Sequence, residues 1–84
     1  DPIVVGAQVV LALQTLVSRE VSPTESAVVT VAQFHAGTAY NIIPGTSEIK
    51  GTVRCLSQSL REAMPQHIER VVAGICAACR ASYT

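Results

Sequence analysis

Apolar positions along the chain fall into a helical block, two short strand-like blocks and a second helical block. From Ile3 to about Glu20, Ile3, Ala7, Val10, Gln14 and Val17 share one face, while Val5, Val9, Leu11, Leu13 and Leu16 fall on others. The spacing predicts a helix that is apolar most of the way round. Asp1 followed by Pro2 supplies its start signal, an acidic cap and then a residue whose fixed φ suits the first turn. Such a helix needs two buried faces. One can lie on a sheet of the same chain, and the other is read as a subunit contact.

Val21–Glu25 is a loop carrying Pro23, and Ser26–Ala36 follows it with the β-branched run Val28, Val29, Thr30 and Val31, which predicts a strand. Apolar residues stand on both parities there, as in a strand covered on both faces or lying near an interface. In Glu48–Leu56 the alternation is strict. Ile49, Gly51, Val53 and Cys55 share one parity, and Glu48, Lys50, Thr52 and Arg54 share the other. That pattern predicts a strand with one buried and one wet face, with Arg54 on the wet one. The two strands are expected to pair as an antiparallel hairpin around a long loop. Leu56 to about Ala81 reads as a second helix, capped by Ser57 or Ser59. Its apolar stripe is Leu60, Met64, Ile68, Val71, Val72, Ile75 and Cys79, and Pro65 is expected to kink or divide it. Ala81–Thr84 has the look of an approach to a further strand. The element order is α-β-β-α, an α+β fold.

Composition narrows the class. The 84 residues make one small domain, 49% hydrophobic, 14% charged and of zero formal net charge. So apolar a surface on so short a chain is expected to meet a partner. The absence of a basic cluster argues against nucleic acid. No apolar run has the length of a membrane span and no leader-like segment opens the chain, so a cytoplasmic protein is expected. Cys55, Cys76 and Cys79 are an odd number and suggest no disulfide framework. Cys76 and Cys79 are spaced for redox or metal chemistry, but no second ligand pair accompanies them, and packing is the favoured reading. No Ser/His/Asp set, phosphate loop, nucleotide fingerprint or internal repeat is present, and no metal ligands or catalytic residues are assigned.

The chemistry-bearing stretch is Phe34–Pro44, FHAGTAYNIIP. Asn41 offers an acceptor and two amide donors in a turn-rich segment, which suits an amide or carbonyl group. Thirteen residues on, Arg54 offers a planar guanidinium that can hold a carboxylate with two parallel hydrogen bonds. Taken singly, each has an ordinary alternative: Asn41 capping its own turn, Arg54 as a solvated charge. His35 adjoins the stretch and is treated as a pocket-wall residue. His67 lies among helix charges and is expected to be solvated.

Gly37, Thr38, Ala39, Asn41, Ile43 and Pro44, followed by Gly51, Thr52, Val53 and Arg54, resemble the centre of the dimerisation (lid) domain of the zinc-dependent aminoacylase/carboxypeptidase family. The similarity is greatest to its amidohydrolases acting on N-acyl amino acids, including the hippurate hydrolase type. The turn there reads Gly-Thr-Ala-x-Asn-Val-Ile-Pro, so Ile42 departs from the commoner Val, and the resemblance extends across residues 1–84. It implies a two-layer, ferredoxin-like α/β sandwich whose outer strands lie beyond both ends of this sequence, and a catalytic domain holding two divalent ions, zinc or manganese, elsewhere. The 84 residues would bind no cofactor and perform no chemistry themselves. The resemblance further implies substrate contacts from Asn41 and Arg54, and a homodimer or higher oligomer formed through the first helix and strand edges. The other reading of the composition is a stand-alone small α/β regulatory or assembly module.

Overall fold

The computed structural model describes residues 1–16 and 27–84. The expected last turn of the first helix, the Val21–Glu25 loop and Ser26 lie outside the described residues. Helix α1 spans Pro2–Thr15, strand β1 Ala27–Ala36, strand β2 Ser47–Cys55 and helix α2 Gln58–Cys79. The fold is α+β, with both helices on one side of a two-stranded antiparallel sheet.

Each helix begins where the sequence signals it. The Asp1 carboxylate accepts from the Ile3 amide at 2.9 Å, and the Ser57 hydroxyl accepts from the Leu60 amide at 3.2 Å. These caps satisfy donors that have no partner inside the helix. Pro65 does not divide α2, which runs unbroken as helix from Gln58 to Cys79. The residue is exposed, as is Arg61, whose carbonyl Pro65 cannot reach. Water can therefore serve the freed acceptor, and the helix continues. At the far end Arg80 takes a left-handed conformation, φ 55°, and the Ala81 amide closes on the Cys76 carbonyl at 2.8 Å. Residues 81–84 form no strand. They pass beside α2, where the Tyr83 hydroxyl donates to the Glu69 carboxylate at 3.4 Å.

The strand register explains the unclear parity of β1. Ala27 pairs with Cys55 and Val31 with Gly51, whereas Gln33 pairs with Lys50 and Ala36 with Ser47, so Ala32 is an extra residue, a bulge. Before it Ala27, Val29 and Val31 face the helices; after it Phe34 and Ala36 do. Alternation is regular on each side of the bulge, and one face of the strand is covered, not both. Opposite the bulge sits Gly51, where an added Cβ would run into the Thr30 carbonyl.

The core lies at the Ala27/Cys55 end of the hairpin. Val9, Leu13 and Leu16 meet Ala27, Cys55, Leu60 and Met64 there, with Val29, Val31, Ile49, Ile68 and Val72 packed around them. The buried stripe of α1 is therefore Gly6, Val9, Leu13 and Leu16, while Ile3, Val4, Ala7 and Leu11 are exposed. In α2 the buried cysteine is Cys76, and Cys79 is only half-buried, with its thiol 3.8 Å from the Gln8 side chain. At the loop end the layers are held by Phe34 against Gly6 and by the Ser47 hydroxyl donating to the Pro2 carbonyl at 3.0 Å. An open groove of about 940 Å³ runs between the inner side of β2 and the C-terminal half of α2, leaving Ile68 and Val72 partly uncovered.

Candidate functional site

The face of the sheet away from the helices carries most of the polar and charged side chains of the two strands. In register order its cross-strand pairs are Val28 with Arg54, Thr30 with Thr52, Gln33 with Lys50 and His35 with Glu48. All eight are exposed, and no described element covers them. Lys50 and Glu48 pair with each other at 3.3 Å. Arg54 and His35 make no hydrogen bond or ion pair among the described residues.

Arg54 stands on the rigid end of the hairpin. Its neighbour Cys55 is buried in the core, and the Arg61 guanidinium donates to the Cys55 carbonyl at 2.8 Å, tying the end of β2 to the first turns of α2. The backbone beneath Arg54 is thus fixed while its head group is free. A free guanidinium on a fixed strand suits a carboxylate, and being permanently charged it needs no activation.

Asn41 lies in the Gly37–Thr46 loop at the other end. It is exposed, and its side chain makes no hydrogen bond among the described residues. The loop turns through Gly37, φ 83°, and through a weak Ile42-to-Ala39 backbone bond of 3.4 Å. It leans toward α1, and with Ile3 and the last β1 residue, Ala36, its residues Gly37, Thr38, Ala39, Tyr40, Ile42 and Pro44 enclose a shallow dent of about 360 Å³. Arg54 is seven positions along β2 from the loop, about 23 Å at the usual strand rise. His35 stands near the loop, on the same sheet face as Arg54. One chain therefore does not set Asn41 and Arg54 side by side.

Two neighbours of Arg54 escaped the sequence reading. Val28 lies directly across from it, 53% exposed, and Leu56 lies just past the strand end, 86% exposed. Counting back from the loop without a bulge places Val29 opposite Arg54, so the Val28 pairing needs the extra residue Ala32. Among the described residues no group of three or more His, Cys, Asp or Glu side chains could hold a metal ion, and none of the helices is long and apolar enough to cross a membrane.

No protein-family model matches the chain. Whole-protein comparisons do. It is 54% identical over 83 residues to an N-acyl-L-amino acid amidohydrolase of Geobacillus stearothermophilus, covering 99% of this chain and 22% of that protein. It is 42% identical over 78 residues to the hippurate hydrolase of Campylobacter jejuni, covering 93% of this chain and 20% of that one. A dinuclear metal-binding peptidase of the M20 family from Bacillus subtilis superposes with a TM-score of 0.76 at 37% identity, over 93% of this chain and 19% of that one. The chain belongs to the M20 amidohydrolase family. A second M20-like structure, a putative aminohydrolase from methicillin-resistant Staphylococcus aureus, superposes with a TM-score of 0.88 at 38% identity, over 93% of this chain and 20% of its own length. The chain thus spans about a fifth of the length of the M20 relatives it matches. The donors present among the described residues do not fit the dinuclear metal site named for the Bacillus protein.

Proposed function

We propose that residues 1–84 are part of the dimerisation (lid) domain of a metal-dependent hydrolase that cleaves the amide bond of N-acyl amino acids, and that they bind and orient the substrate without breaking the bond. Metal ions, zinc or manganese, belong in this reading to a part of the protein outside these residues. Arg54 holds the substrate carboxylate through two parallel N–H donors. Asn41 donates its amide to the oxygen of the scissile carbonyl, and His35 lines the wall. The observation that carries the reading is the unpaired Arg54 guanidinium on an uncovered sheet face, above backbone fixed by Arg61 and the core. The substrates named for the relatives support it, since N-acyl amino acids and hippurate each carry one carboxylate beside one amide.

The subunit contact belongs to the same proposal. Val4 and Leu11 leave an apolar face on α1, 54% and 71% exposed, and the outer edge of β1 has no partner among the described residues. Such an edge beside an apolar helix face favours pairing with a second copy. The test is hydrolysis of hippurate by the full-length enzyme carrying this chain, with divalent metal added. Arg54→Ala should lower kcat/KM by about 10- to 100-fold, the worth of a charge-assisted bidentate contact. Unchanged kinetics would remove Arg54 from the site.

A further inference from the structure

The uncovered sheet face is polar along most of its length: Thr30, Thr52, Gln33, Lys50, His35 and Glu48 all lie on it. Its character changes at one place. Around Arg54 stand Val28, directly across the ladder, and Leu56, two residues on, both exposed and both large apolar side chains. Residues directly opposite in an antiparallel pair have Cβ atoms about 4.5–5.5 Å apart, so the Val28 methyls lie beside the stem of Arg54. Apolar side chains left in water are solvated at a cost, and here one lies directly across from Arg54 and the other just past the strand end, two residues along the chain. A ligand matching this patch has an anionic group for the guanidinium and an apolar group within a few ångströms of it. The α-carboxylate and side chain of an apolar amino acid have that relation, since they share a carbon.

We infer that Val28 and Leu56 are specificity-determining residues, forming an apolar seat for the amino-acid side chain of the substrate whose carboxylate Arg54 holds. The protein accordingly favours N-acyl derivatives of leucine, phenylalanine and similar residues over those of glycine. This inference rests on the carboxylate role of Arg54 proposed above. The acyl group, on the far side of the amide nitrogen, is not read by this patch.

The test compares kcat/KM for N-acetylleucine and N-acetylglycine in the full-length enzyme, in wild type, Val28→Thr, Leu56→Ser and Arg54→Ala. Val28→Thr keeps the shape and the strand preference of valine, so the fold is retained, and Leu56→Ser acts at an exposed position outside the core. The wild type should prefer the leucine substrate, and either substitution should lower that preference about tenfold, the scale of a lost apolar contact in a specificity pocket. Arg54→Ala should depress both substrates together. An unchanged leucine-to-glycine ratio in both variants, with Arg54→Ala still impaired, overturns the apolar seat and leaves the carboxylate role standing. A loss of equal size for both substrates in the Val28 and Leu56 variants also overturns it, because those side chains then serve packing against another part of the enzyme. Full activity in Arg54→Ala overturns both readings.

Discussion

Gly51 and Gly6 show how closely single positions bind the site to the fold. A methyl group at Gly51 would meet the rigid Thr30 carbonyl opposite the Ala32 bulge, and the strand pair must open to accept it. Gly51→Ala is therefore expected to cost about 2 kcal/mol, read as a lower urea midpoint with an unchanged slope. At Gly6 the obstacle is the far edge of the Phe34 ring, which can move, and alanine regains roughly 1 kcal/mol of helix propensity. Gly6→Ala should therefore cost less than Gly51→Ala, and a larger loss at Gly6 would contradict the contact assignment. Arg54, by contrast, is exposed and makes no hydrogen bond or ion pair among the described residues, so Arg54→Ala should leave the unfolding free energy within about 0.5 kcal/mol of wild type.

At the scale of elements, β2 was legible as a strand from its alternation, but its inner side is only partly packed: Cys55 is buried and Ile49 half-buried, while Gly51 and Val53 stay exposed because the helices do not close over that stretch. β1 was legible as a strand but not in its facing, because the Ala32 bulge moves the buried set from odd to even positions and leaves no mark in residue type. The helix starts were legible from Asp1-Pro2 and Ser57, since caps are chemical signals local in sequence. The continuity of α2 through Pro65 was not, because it depends on which way the freed carbonyl points. The end of α2 closes on Arg80 in a left-handed conformation, where glycine is the relaxed choice. Arg80→Gly should raise stability by roughly 0.5–1 kcal/mol. A loss of stability there would mean that the Arg80 side chain makes contacts that matter more than its backbone strain.

At the scale of the whole molecule, the described elements cover one face of a two-stranded sheet and leave the other free. The shape is long and thin, 46 × 23 × 19 Å, with a radius of gyration of 14.0 Å against about 12 Å for a compact domain of this length. The candidate site residues were nameable from the sequence, but their separation was not, because loop and strand stand adjacent in the chain while the hairpin carries Arg54 away from Asn41. If both touch one substrate molecule, the register favours their coming from different copies. Mixing full-length Asn41→Ala and Arg54→Ala enzymes should then regenerate one intact site per mixed dimer, and roughly a quarter of wild-type activity in an equimolar random mixture. Activity no higher than that of the separate variants would place both contacts on one copy.

The most direct test of the carboxylate contact is a kinetic cycle on the full-length enzyme, pairing wild type and Arg54→Ala with an N-acyl amino acid and with its C-terminal amide. Wild type should strongly prefer the acid, Arg54→Ala should lose that preference, and the substitution should barely alter the amide, giving a coupling of about 1.5–3 kcal/mol. Equal losses on acid and amide would contradict it, because Arg54 would then not be reading the carboxylate.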